Sequence, residues 1–325
     1  MEKSFKRYLP VLLIALLVLV PALPVFAQGS SQAICNGLND TDCQTLTTAQ
    51  ANLKGITSFS SAAWSVDFKA SDTKTDVAFS GSGSGEFVLP SSGDMSGLLI
   101  HLMISDLSAT DGTTTVSMKD SEVIVTDKMA YVKYNGDWYG QELTQQDLNS
   151  LGLGSLSSML GSANSGSANG LSSMGIDLTG VVTTTRGTDN SVNGDTMQVY
   201  TTTFDLGKLI GAVLASPAVA PLMGTDSSMT PAQLQAMGSM FTPMLGTTSI
   251  TLEEWVGSDA NIHELKLDAT QDIDPTLFSP SAGQITGSFS FSTDLSGVNQ
   301  SYSATAPESY KPMSDLNALL SGTSG

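Results

Sequence analysis

From Trp64 onward, apolar side chains recur at every second position. A strand turns successive side chains to opposite faces, so this period commits the segment to a sheet with one buried and one wet face. Trp64, Val66, Phe68 and Ala70 alternate with polar residues, as do Leu98, Ile100, Leu102 and Ile104. Short strands are expected at 114–118, 122–125 and 129–134. Asn135-Gly136 is then a two-residue hairpin signal leading into Trp138-Tyr139. Residues 63–143 therefore read as an antiparallel meander. Within it, Val77, Phe79, Gly81, Gly83, Gly85, Phe87 and Leu89 share one face. This is one long strand or a strand pair. Glycines on a buried face either let the sheet bend or leave room beside it, unless the run is an exposed loop between two shorter strands. If the room is real, Gly83→Leu should displace a ligand from a protein that still folds.

Elsewhere the period becomes helical. Asp40 or Thr41 is placed to cap a helix that ends at Gly55, with Leu46, Ala49 and Leu53 on one face. Strands return at 181–186 and 197–204 through Asn193-Gly194, then at 249–256 and 262–270 around Asp259. Segments 284–294 and 301–306 are expected to close the sheet. Asp205 is placed to cap a helix through Leu214, and Thr230-Pro231 to start another carrying Met237, Met240, Phe241 and Met244 on its apolar face. Residues 144–175 mix Leu148, Leu151, Met159 and Leu160 with many Ser and Gly, which reads as a flexible insertion. Helices set into an antiparallel sheet define an α+β chain. No linker divides it, so residues 28–320 form one domain.

The first 27 residues read as a secretory signal. Lys3, Lys6 and Arg7 precede the unbroken apolar run 11–20, Pro21 and Pro24 end it, and Val25-Phe26-Ala27 suits cleavage before Gln28. Cleavage there removes those three cations and Glu2 from totals of 13 basic and 31 acidic side chains, so 10 and 30 remain. Arg186 is then the sole arginine. Phosphate neutralisation needs clustered cations, which argues against nucleic acid as a partner. In an exported chain, the pair Cys35 and Cys43 reads as a disulfide. A straight helix would hold residues eight apart at about 12 Å, so the segment between them is expected to be a loop turning at Asn36-Gly37.

Little in the chain suggests catalysis. His101 and His263 lie inside strand patterns without a second ligand at metal spacing, and read as satisfied or exposed sheet residues. No nucleophile elbow occurs, and the glycine run 81–85 lacks the Lys and helix of a phosphate loop. Asp268, Asp272 and Asp274 read as a solvated acidic turn. No catalytic, metal or cofactor residue is assigned. Met159, Met174, Met223, Met229, Met237, Met240 and Met244 cluster in or beside the helical insertions. They fill a core or line an adaptable binding surface.

Several segments resemble the LppX/LprG-type and LolA-like exported carriers of lipids and lipoproteins. They are 53–59 (LKGITSF), 129–134 (MAYVKY) with 136–139 (GDWY), 250–257 (ITLEEWVG) running into 262–267 (IHELKL), and 306–308 (APE). Their order spans most of the chain. The resemblance implies a strongly curved antiparallel half-barrel wrapped around helices, with an apolar cavity between them. It implies a non-catalytic carrier or sink for an acyl-chain-bearing lipid or lipoprotein, acting in the periplasm, cell envelope or medium. Partners would be that ligand and a membrane-bound exporter or lipoprotein. Many relatives are lipid-anchored, whereas here Ile34 and Gln32 stand where an anchoring cysteine needs a small residue and a leucine. Cavity candidates are Gly81, Gly83, Gly85, Phe79, Phe87, Met159, Met237, Met240 and Met244. The alternative is an envelope scaffold or sensor domain that binds another protein.

Overall fold

A computed structural model of the chain describes residues 34–53, 55–71, 76–89, 97–112, 114–126, 128–143, 180–192, 194–205, 207–208, 248–273 and 285–320. The expected signal segment, the insertion at 144–175, the helical stretches between 209 and 247, and with them all seven clustered methionines lie outside the described residues.

Helix α1 (Asp40–Leu53) leads into the meander. Its strands are β1 (Ser58–Ser71), β2 (Asp76–Val88), β3 (Leu99–Asp111), β4 (Thr114–Thr126), β5 (Met129–Tyr134) and β6 (Asp137–Glu142). Then come β7 (Val182–Arg186), β8 (Asn190–Val192), β9 (Asp195–Asp205), β10 (Ser249–Val256), β11 (Ile262–Ile273), β12 (Ile285–Asp294), β13 (Lys311–Pro312) and helix α2 (Met313–Leu320). The lateral order is β13-β6-β5-β4-β3-β2-β1-β12-β11-β10-β9-β7, with β8 beside β9. The result is one large, curved, unclosed sheet. Segment 77–89 is a single strand, and Asn135 and Gly136 both have positive φ, 51° and 87°, as the tight hairpin requires.

The register breaks along a line that crosses four strands. On β1, Ala62 and Ala63 bulge between Ser61 and Trp64. Asp294 of β12 fastens the bulge by accepting both freed amides, at 3.1 and 2.7 Å. On β2 and β3 the pairing steps from Ser82↔Asp106 to Gly83↔Ile104. On β4, Asp120 takes φ 47°. Such irregularities sharpen twist and bend, and here they crease the meander.

Several expectations change. Cys43 lies within the first turn of α1 rather than in a loop. The disulfide still forms, with Cα atoms 5.1 Å apart, because residues 35–38 double back through Gly37 at φ 100°. The cap of α1 is Asn39, whose Oδ1 accepts from the Asp42 amide at 3.0 Å. Residues 114–126 are one strand, not two. Segment 284–294 does not close the sheet; as β12 it joins the two halves by pairing with both β1 and β11. Segment 301–306 is not a strand; Lys311 and Pro312 pair with β6 instead, in parallel. Asp268 and Asp272 stand on β11 rather than in a turn, and Asp274 is outside the described residues. Helix α2 was not anticipated; Met313 and Leu316 bury its inner face.

Candidate functional site

The inner face of the sheet can be followed in cross-strand rows. One row runs Gly83–Trp64–Thr293–Leu265–Glu254–Tyr200. Helix α1 packs over its far end. Its Leu46, Ala49 and Leu53 enter the same core as Leu252 and Leu265, and Gln50 reaches Glu254. Four residues further along each strand, about 13 Å away, a second row crosses nine strands. It runs Val116–Ala109–Phe79–Phe68–Phe289–Ala269–Ile250–Phe204–Val182.

This second row is apolar throughout, yet it is not all core. Phe79, Ala109 and Val182 are buried, whereas Phe289, Ala269, Ile250 and Phe204 are only partly covered and Phe68 is 38% exposed. One row further out, Ile285 is 41% exposed. A folded chain ordinarily hides its phenylalanines, so exposed members of a contiguous apolar row are informative where a lone one would not be. The stretch from Phe68 to Phe204 spans four strand spacings, about 19 Å. That is the scale of one extended fatty acyl chain.

The structure brings five of the sequence-derived candidates together on β2, but as packed core. Phe79 and Phe87 are buried, and Phe87 stacks on Phe59 at 4.6 Å. The space above the glycines is occupied. A Cβ at Gly81 would lie 2.9 Å from Leu107 and one at Gly85 2.6 Å from Leu102. At Gly83 it would lie 2.0 Å from the Met103 carbonyl oxygen and 2.9 Å from the Trp64 ring. The Trp64 indole covers the glycine run and donates to the Ser84 carbonyl at 3.1 Å. The glycines thus admit a tryptophan and a crease, and Gly83→Leu has no room in the folded chain. The candidates Met159, Met237, Met240 and Met244 lie outside the described residues.

Sequence reasoning missed the polar group under α1. Glu254 is fully buried, and Gln50 Nε2 donates to both of its oxygens, at 3.0 and 3.2 Å. Burial without a cation pushes its carboxyl up to about 7, and the Gln50 amide draws it back only in part. The available signal was Glu254 itself, at an inward position between Leu252 and Val256. Beside it, the Tyr200 hydroxyl donates to Gln198 at 2.7 Å with the Asp42 carboxylate 3.3 Å away, and Arg186 lies 3.6 Å from Asp42.

His101 stands on the opposite, outer face between Glu122 at 2.8 Å and Glu86 at 3.7 Å. His263 meets Asp259 at 3.0 Å. Both lie against carboxylates, which matches the satisfied one of the two readings that their strand positions allowed. Among the described residues, no three His, Cys, Asp or Glu side chains form a metal-binding group, and no helix is long and apolar enough to cross a membrane. Asp205 does cap a helical turn: its Oδ1 accepts from the Lys208 amide at 2.9 Å, and that bond holds its carboxyl below the ordinary value.

No protein-family profile matches the chain, and no curated protein matches it. Among solved structures it is similar to LprF from Mycobacterium bovis, with 14% identity over 81% of this chain and 95% of that one, at a TM-score of 0.33. It is also similar to the Mycobacterium tuberculosis lipoprotein LppX, with 12% identity over 82% of this chain and all of that one, at a TM-score of 0.32. A third structure, from a study of lipid–protein interactions in lipovitellin, shares 9% identity over 77% of this chain and 26% of its own length, at a TM-score of 0.32.

Proposed function

We propose that the chain is an exported, non-catalytic carrier or sink for a lipid or lipoprotein, and that it holds an acyl chain along the inner face of the sheet. The single observation that supports this is the apolar row from Phe68 to Phe204, left partly uncovered on the face of the open sheet that also carries α1. An acyl chain laid across it gains roughly 0.8 kcal/mol for each CH₂ removed from water. It needs no reacting group, and the row offers none. In this reading the sheet wraps around helices to enclose an apolar cavity. Phe79 lies in the wall, and Met159, Met237, Met240 and Met244 supply the adaptable remainder of the lining. A membrane-bound exporter or lipoprotein would deliver or accept the ligand. The Cys35–Cys43 bridge suits an extracytoplasmic setting, where disulfides persist.

The test is lipid recovered per mole of protein purified from cells, read by native mass spectrometry and solvent extraction. The parent is expected to carry acyl lipid. Phe68→Asp places a charge in the row at an exposed position and should reduce recovered lipid roughly tenfold with unchanged circular dichroism, because the carboxylate would have to be desolvated. A parent that is lipid-free and fails to bind a fluorescent palmitoyl probe would overturn the proposal. So would a folded Phe68→Asp protein that carries as much lipid as the parent.

A further inference from the structure

The strands under α1 are tied to one another by backbone ladders, and the helix is not tied to them in that way. Among the described residues, no backbone hydrogen bond joins Asp40–Leu53 to a strand. Side chains make the attachment. Leu46, Ala49 and Leu53 enter the core, Asn52 Nδ2 donates to the Ala260 carbonyl at 2.8 Å, and Gln50 Nε2 meets Glu254. An element that can lift without breaking a ladder opens at lower free energy than the strands beneath it. The Cys35–Cys43 bridge and the chain entering β1 keep the helix tethered when it lifts.

A fully buried carboxyl lies beneath this helix, with Gln50 as its hydrogen-bond partner. The charged and titratable groups on the surrounding elements do not offset an ionised Glu254. On β9, Tyr200 stands opposite it, and desolvation holds that hydroxyl above its ordinary value and neutral. On β11, Leu265 stands opposite it, and His263 nearer the hairpin end meets Asp259 at 3.0 Å. Beyond Leu265 on β12 comes Thr293, and the adjacent Asp294 is occupied by the Ala62 and Ala63 amides. Arg186 of β7 is paired with Asp42 and Asp189. The first turn of α1 adds only the anions Asp40 and Asp42. Lifting α1 would give the carboxyl back to water, so the docked helix favours the protonated form and the lifted helix the ionised one.

We propose that α1 is a pH-graded latch, and that ionisation of Glu254 loosens the helix from the inner face while the sheet stays paired. With α1 docked, burial pushes this carboxyl up to about 7; with α1 lifted, it returns towards its ordinary 4.5. Docking is therefore firmest below the ordinary value, weakens as pH rises towards 7, and is constant above that. The lifted helix uncovers Leu252 and Leu265, on the same face as the row from Phe68 to Phe204. The latch thus sets how much apolar surface that face presents, and it holds whether or not a lipid is carried there.

The test uses the full chain with its disulfide intact. Hydrogen exchange is followed between about pH 5 and 8 at the amides of Leu46–Leu53 and, on β3, of Ile100–Ile104, each rate divided by that of the unfolded peptide. In the parent, protection of the helix should lie below that of β3 and fall roughly seventyfold across that range. In Glu254→Gln it should stay level, since an amide has no proton to lose. Level helix protection in the parent would overturn the proposal, whatever the variant does. So would helix protection equal to that of β3 at every pH, because the helix would then leave only with the whole sheet. A slope that persists in a folded Glu254→Gln protein would belong to His263 or to the aspartates of α1, and would overturn it as well.

Discussion

The inner face of β1–β6 is held by Phe59, Trp64, Phe79, Phe87, Ile100, Leu102, Ile104 and Val123, and its buried polar groups among the described residues are the serines Ser61 and Ser121. The inner face of β7–β12 sets Thr184, Thr202, Thr293, Tyr200 and the carboxyl of Glu254 among its apolar residues. The first half is stabilised by area, a force without direction. The second adds groups that must be satisfied one by one: Thr184 to Thr202 at 3.0 Å, Glu254 to Gln50, and Tyr200 to Asp42 and Gln198. Directional pairs fix where a helix may sit, and α1 sits over the half that has them. The dry half specifies a surface, and the polar half specifies a docking geometry.

Three measurements would break or sharpen this contrast. The largest effect belongs to the dry half. Gly83→Leu forces a side chain into the Met103 backbone and the Trp64 ring, and should cost about 3 kcal/mol or more; the urea midpoint reads it. A midpoint equal to the parent's would mean the crease has slack.

The next effect belongs to Glu254. Its ordinary value is 4.5 and burial lifts it to about 7 in the folded chain. The folded chain therefore holds this proton more tightly than the unfolded chain. Stability from this group is complete below the ordinary value, declines as pH rises towards 7, and is flat above that. The full decline is about 3 kcal/mol. Glu254→Gln should abolish the slope and be the more stable protein at alkaline pH, as chemical denaturation at several pH values would show. Parallel curves for parent and variant would mean that water or another group reaches the carboxylate.

The smallest effect is on the outer face. Lys266 lies 3.1 Å from Glu264 and 3.5 Å from Glu253, over the Trp255 ring, but it is half-exposed. Lys266→Ala should cost about 1 kcal/mol or less. A larger loss by thermal denaturation would show that the outer face shares in the support of this half.

The sheet was legible in the sequence because period-two alternation and turn chemistry are local. They failed together at the crease. On β3 the inward residues step from Ile104 to Leu107, and on β4 from Met118 to Ser121. Hydrogen bonding continues across both steps while the alternation loses phase, so the two strands read as shorter pieces. The inward face of the glycine run was legible; what fills it was not, because Trp64 reaches it from the neighbouring strand. The exposed row from Phe68 to Phe204 was hidden for the same reason. Each member looks like ordinary core in its own strand, and only the register of nine strands lines them up. Gln50 and Glu254 are 204 residues apart, beyond any local pattern.

The junction between the halves is β1 with β12, where the Ala62 amide meets Asp294 across 232 residues of chain. A ribosome delivers β1 through β6 early, and adjacent hairpins can zip as they emerge. The outer side of β1 then waits for a partner that is synthesised near the end. Until β12 arrives, the early half carries an open strand edge beside a bulge whose two amides have no acceptor. Completion of the sheet is thus a late, long-range closure, slow by topology. Any factor that shields a nascent chain has its natural target in the segment from Ser58 to Ser71.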